Sequence, residues 1–131
     1  AARRDHLERR IRPALARGAW VITDRFADSS RVYQGAARAE QRALVDELHR
    51  LMIGIDPDLT FVIDIDPEIS LGRGQARGGR EDRFEGMGLD FQRRLRDGFR
   101  ALAAEAPERI RLIDGSGSED EVAARVLAAL P

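Results

Sequence analysis

Residues 57–68 read Pro57-Asp58-Leu59-Thr60-Phe61-Val62-Ile63-Asp64-Ile65-Asp66-Pro67-Glu68. The apolar, largely β-branched middle of this stretch predicts a strand over 59–65. Asp66 and Pro67 then predict a helix start, with Asp as N-cap and Pro at the first helical position, where its missing N–H costs nothing. A strand that passes at once into a helix is the opening of a βαβ unit.

The same alternation continues on both sides. Downstream, the helix runs to about Ala76, and 77–88 is a Gly-rich, charged, aperiodic stretch read as a loop. A helix is expected from Leu89 to Ala104, a strand over 109–114, and a last helix after Ser116–Ser118 carrying Val122, Val126, Leu127 and Leu130. Upstream, the first seventeen residues predict a helix with Leu7, Ile11, Ala14 and Leu15 on one face, kinked or broken near residue 12 by Pro13 and stopped at Gly18. Residues 19–23 predict a strand buried on both faces, as in a parallel sheet, ending in Asp24-Arg25. A short helix or loop follows over 26–35, and then a helix over 38–53 with Leu44, Val45, Leu48, Leu51 and Met52 on one stripe. Strands separated by helices predict an α/β domain with a parallel sheet, and ligands of such sheets sit at the strands' carboxyl ends. Asp24-Arg25 and Asp64/Asp66 fall there.

Composition narrows the chemistry. The chain has 131 residues, 43% hydrophobic and 34% charged, which suits a single domain over 1–131 with a modest core. A net charge of −1 gives no general attraction for nucleic acid, and cysteine is absent, which excludes disulfides and thiolate chemistry. No apolar run approaches the ~18 residues of a membrane-spanning helix, so the expectation is a cytoplasmic protein. All 22 basic residues are Arg. Without Lys, these residues contain no GxxxxGK[ST] loop for nucleotide phosphates.

Three patterns carry candidate chemistry. Asp24-Arg25 offers a guanidinium fork for a phosphate beside a carboxylate for a metal-bound water, or else a capping Asp and a solvated Arg. Ser29-Ser30-Arg31-Val32-Tyr33-Gln34-Gly35 offers hydroxyls, a phenol and an amide to a base and a sugar, or else forms a polar surface turn. Arg73, Arg77, Arg80 and Arg83 alternate with Gly72, Gly74, Gly78 and Gly79. That suits a loop closing over phosphates, or else a charged surface loop. His6 and His49 lack a spaced metal partner and read as surface or boundary residues. Asp66 and Glu68 read as cap and first-turn acids. The stripe at 44–52 reads as core or as a subunit interface.

Taken together and in order, these segments resemble the thymidylate kinase family without its front end. The resemblance rests on AARRDHLERRIRPALARG, on the strand running into Asp24-Arg25, on the Ser-Ser-x-x-Tyr-Gln-Gly loop at 29–35, on PDLTFVIDIDPE, and on LGRGQARGGREDRFE with its Asp82-Arg83-x-Glu85 ending. It implies a P-loop NTPase-like nucleoside-monophosphate kinase fold and transfer of the γ-phosphoryl of ATP to dTMP with Mg²⁺, giving dTDP for dTTP synthesis. It implies dTMP contacts from Arg3, Asp24, Arg25, Ser30, Tyr33 and Gln34. Arg73, Arg77, Arg80 and Arg83 are implied as lid residues facing the ATP phosphates, with Arg25, Arg77 and Arg73 as the catalytic set. No firm metal ligand is implied beyond Asp24 acting through water. A homodimer is implied, with neither nucleic acid nor membrane as partner. Gln75, Phe26 and an extra residue near Gly79-Arg80 depart from the family pattern and leave the lid register open. The family's P-loop and first strand are expected to precede residue 1. The resemblance places that strand between 19–23 and 60–65, so the 131 residues alone are expected to bind ATP weakly and not to turn over. A nucleotide-binding or interaction domain that has lost its P-loop, or a related deoxynucleoside kinase, is the alternative.

Overall fold

A computed structural model describes residues 2–38, 40–76 and 88–131. The chain folds as two compact units, residues 1–57 and 58–131.

The first unit opens with α1 (Ala2–His6), a π-helical turn (Leu7–Ile11) and α2 (Arg12–Ala16). The expected break at Pro13 is resolved as a change of helical register. The Arg12 N–H donates to Leu7 O, five residues back. In an α-helix the Pro13 ring would crowd the Arg9 carbonyl, and the wider turn ahead of it makes room. Pro13 then sits in the first turn of α2, where no N–H is needed. Gly18, at φ 76°, ends the helix in the left-handed region open to glycine. Leu7 and Ile11 are buried with Ile53, and Val21, Phe26 and Ile55 pack against them. Leu15, expected on the buried face, is exposed because it lies beyond this cluster.

Residues 19–23 are not a strand. No described residue pairs with them, and a strand exists only through its ladder. Val21 still packs on the core cluster, whereas Trp20 and Ile22 are 74% and 91% exposed, not covered on two faces. Next come α3 (Ala27–Ala37), two residues longer than the expected stop at Gly35, and α4 (Gln41–Met52). The apolar stripe of α4 does not face this unit's core: Leu44, Leu48, Leu51 and Met52 are exposed, and the buried residue of the helix is His49. His49, expected near the surface, lies edge-on to Phe26 at 6.3 Å.

The second unit holds β1 (Thr60–Asp64), α5 (Pro67–Ala76), α6 (Leu89–Glu105), β2 (Ile110–Asp114) and α7 (Glu119–Ala128). Among the described residues, the sheet is the parallel pair β1–β2, in register from Thr60 opposite Ile110 to Asp64 opposite Asp114. Phe91, Leu95, Leu102 and Ala103 of α6 are buried, as are Ile110 and Ile113 of β2. At the turn after β2, a Cβ on Gly115 would stand 2.8 Å from Ile63 Cγ2 and 3.1 Å from Asp64 O, so only glycine lets the two strand ends approach. Asp66 caps α5 as expected, its Oδ1 accepting from the Glu68 N–H at 2.8 Å, and Glu68 pairs with Arg93. The 77–88 lid expectation falls almost wholly on 77–87, outside the described residues.

Candidate functional site

Arg25 has φ 61°, a left-handed conformation that costs a side-chain-bearing residue about 1–2 kcal/mol. Strain of this kind is kept where the surroundings hold it in place, most often at functional corners. The turn carries the chain from 19–23 into α3 and aims the Arg25 guanidinium over the Tyr33 ring, Cζ 5.5 Å from its centroid. Asp24 beside it is exposed.

Arg3, on α1, reaches the same helix from the other side of the sequence. Its Nη2 donates to Ser30 Oγ at 3.0 Å and to Phe26 O at 3.4 Å, and its Cζ lies 5.4 Å from the Phe26 ring centroid. Ser30, Tyr33 and Gln34 stand at i, i+3 and i+4 of α3 and therefore share a face. Of the six residues expected at the acceptor nucleotide, Arg3 and Ser30 are joined by a hydrogen bond and Arg25 and Tyr33 by a cation–π contact. Gln34 and Asp24 are exposed nearby in sequence. The assembled surface offers two guanidinium groups, a hydroxyl and an aromatic ring, the groups needed to grip a phosphate and a flat base.

The opposite side of α3 is held by charge. Arg31 is 8% exposed and donates to three carboxylates: Nη1 to Asp28 at 2.8 Å and to Asp56 at 3.0 Å, and Nε to Asp46 at 2.8 Å. Burial works against its charge, but the hydrogen bonds to Asp28, Asp56 and Asp46 outweigh it and raise its pKa above the ordinary value. Arg42 donates to Asp46 at 2.9 Å. His49 Nε2 lies 3.0 Å from Asp56 Oδ1, off the hydrogen-bonding direction, and its Nδ1 is buried with no hydrogen-bond partner among the described residues. The sequence alone does not mark Arg31 or Phe26 as building this surface. The available signals were an Arg inside a polar segment three residues after an Asp, and an aromatic directly after Asp24-Arg25.

In the second unit, Asp64 closes β1 and is gripped by Arg96 at 2.8 Å and Arg100 at 2.6 Å. The Arg96 hydrogen bond, reinforced by Arg100 and opposed by partial burial, draws its pKa down to about 2. Asp64 is thus the anchor of α6 on the strand end. Arg73 donates Nη1 to Gly115 O at 3.1 Å and Nη2 to Gly117 O at 2.9 Å, and Arg125 Nη1 reaches Asp114 O and Ser116 O, both at 2.7 Å. Two arginines therefore bind four successive carbonyls of the 114–117 turn. Arg77, Arg80 and Arg83, with Asp82 and Glu85, lie outside the described residues.

A family model described as thymidylate kinase matches residues 1–126. The chain is 65% identical over 130 residues to the thymidylate kinase of Dinoroseobacter shibae, covering 99% of this chain and 63% of that protein. It is 58% identical over 126 residues to that of Ruegeria pomeroyi, covering 96% and 60%. The crystal structure of thymidylate kinase from Ehrlichia chaffeensis matches with a TM-score of 0.71 at 32% identity, over 98% of this chain and 58% of that one. The chain thus spans about three fifths of the length of these relatives. From the Arg3 helix through the strained Asp24-Arg25 corner and the Ser30–Gln34 face to α7, the match is continuous, and the chain belongs to the thymidylate kinase family.

Proposed function

We propose that this chain carries the acceptor-nucleotide part of a thymidylate kinase, and that the whole protein transfers the γ-phosphoryl group of ATP to dTMP, giving dTDP. The observation that supports this most directly is the convergence on α3 of Arg25, strained and stacked on Tyr33, with Arg3 bonded to Ser30. In this reading Arg25 grips the dTMP phosphate, Arg3 and Gln34 address the thymine edge, and Ser30 and Tyr33 line the deoxyribose. Phosphoryl transfer asks for positioning and charge neutralisation, not covalent help, and arginines supply both. Arg73, Arg77, Arg80 and Arg83 are proposed as donor-phosphate residues; for Arg73 to act so, it must exchange the Gly115 and Gly117 carbonyls for phosphate oxygens.

Among the described residues no three acidic or histidine side chains group to hold a metal ion. Mg²⁺ is proposed to arrive with ATP, held on the nucleotide phosphates with waters retained and with Asp24 as the neighbouring carboxylate. When bound, the ion neutralises charge on the transferred phosphoryl group. With no Lys in these residues, the P-loop is proposed to come from the part of the family's length that this chain does not span, and both units to belong to one kinase domain. The exposed stripe Leu44, Leu48, Leu51 and Met52 supports a homodimer through α4. No helix among the described residues is long and apolar enough to cross a membrane, and a cytoplasmic location is part of the proposal.

Calorimetry of dTMP, UMP, thymidine and ATP against the 131-residue chain and Arg25→Ala tests this. Saturable dTMP binding, weaker for UMP and thymidine, lost in Arg25→Ala and accompanied by little ATP binding, is the expected result. Equal affinity for thymidine and dTMP would favour a deoxynucleoside kinase. A cooperatively folded chain that ignores dTMP would favour a non-catalytic interaction domain.

A further inference from the structure

The segment 28–35 does two jobs on two sides of one helix. At 100° per residue, Ser30, Tyr33 and Gln34 fall within about 100° of one another, and Arg31 and Asp28 follow at about 100° and about 160° from Ser30. The outward face meets Arg3 and Arg25. The inward face is fixed by Arg31, which bonds Asp28 on its own helix, Asp46 on α4 and Asp56 on the segment after α4. A single nearly buried side chain therefore ties α3 to two other pieces of the unit. Only the three-armed guanidinium plane reaches three carboxylates at 2.8–3.0 Å in different directions. Hydrophobic contacts would tolerate rotation of α3 about its axis, whereas directional bonds on both Nε and Nη1 do not.

We propose that Arg31 is a positioning residue for the acceptor-nucleotide site: through Asp28, Asp46 and Asp56 it sets the rotation of α3 that presents Ser30, Tyr33 and Gln34 to the ligand. The ligand half of this inference rests on the reading of the site as a dTMP pocket. The positioning half does not, and the two are separated by experiment.

Tyr33 is the chain's one tyrosine, so 3-fluorotyrosine labelling puts a single ¹⁹F resonance in the site. The 131-residue chain is compared with Arg31→Gln, Arg31→Lys and Asp46→Asn, at a temperature where circular dichroism shows each folded. Ile53→Val, a core change in the same unit that leaves every charge in place, controls for lost stability alone. The resonance should shift or broaden in Arg31→Gln and less so in Arg31→Lys and Asp46→Asn, and stay near the wild-type position in Ile53→Val. Affinity for dTMP should fall tenfold or more in Arg31→Gln and little in Ile53→Val. Should Arg31→Gln not fold, Arg31→Lys and Asp46→Asn carry the comparison. An unmoved resonance in the folded Arg31 variants overturns the inference, as does an unchanged affinity in a chain that binds dTMP. A wild-type chain that ignores dTMP sinks the functional reading instead, and the resonance still decides whether Arg31 positions α3.

Discussion

Arg25 combines an unfavourable backbone with an exposed side chain over Tyr33. The aromatic contact returns only about 0.5–1 kcal/mol at an exposed site, less than or comparable to the left-handed penalty of about 1–2 kcal/mol. The contact does not clearly outweigh the strain, which is consistent with the phosphate-gripping role proposed for Arg25. Arg25→Gly separates the two effects. Glycine relieves the strain but adds an entropic cost and removes the Tyr33 contact, each about 0.5–1 kcal/mol, so urea unfolding should show stability unchanged to within about 1 kcal/mol. Its dTMP affinity should meanwhile fall by a factor of about 10–100, the loss of a charge-assisted hydrogen bond pair. A variant less stable than wild type by clearly more than about 1 kcal/mol would show that the side chain holds the corner together. Asp24-Arg25 is readable as a pair at the end of an apolar run; its φ is not, because strain at one residue depends on where both flanking elements are packed.

At the scale of elements, α6 is held to the end of β1 by Asp64, Arg96 and Arg100. The Asp64 carboxyl, ordinarily near 3.8, titrates at about 2 in the folded chain. The folded state therefore favours the anion, and the stability this confers is complete above the ordinary value and is lost as pH falls through the window from about 4 to about 2. Asp64→Asn should cost about 1–2 kcal/mol at pH 7, reduced from the full shift because Arg100 is half exposed. In urea melts the gap from wild type should narrow steadily between about pH 4 and pH 2. A gap that is constant with pH would mean the loss comes from packing. The α7 start offers a second, independent measurement: Ser118 Oγ accepts from the Glu121 N–H and Glu121 Oε2 accepts from the Ser118 N–H, a reciprocal cap that also holds the Glu121 carboxyl below its ordinary pKa. Ser118→Ala should destabilise the unit by about 1 kcal/mol, and no change in the melting midpoint would show the helix end already secured by Arg125.

At the scale of the molecule, two groups of exposed apolar side chains stand out in the first unit. One is Trp20 and Ile22 in the unpaired 19–23 segment; the other is the α4 stripe of Leu44, Leu48, Leu51 and Met52. Contiguous exposed leucines on one helix face are the mark of an interface, so light scattering coupled to size exclusion should report a dimer at micromolar concentration. Leu48→Glu should shift it to monomer with its circular dichroism unchanged. A monomeric wild type would remove the α4 interface from the proposal.

Local chemistry determined much of this protein. The helix at 67 is written in Asp66-Pro67, the end of the first helix in Gly18, the two strands in the short apolar runs at 60–64 and 110–114, and the shared face of Ser30, Tyr33 and Gln34 in their helical spacing. Each depends on neighbours a few residues away, and so is visible in order along the chain. What required the tertiary structure was everything set by a distant partner. Residues 19–23 have strand composition and no ladder, because pairing is a property of two segments and not of one. The α4 stripe turned outward because α3 meets α4 through the Arg31 cluster, and a salt-linked face leaves no periodic apolar signature. The π turn before Pro13, the strain at Arg25 and the Arg73 bonds to the 114–117 turn follow the same rule. They arise where one element must accommodate another, and only the folded chain brings those elements together.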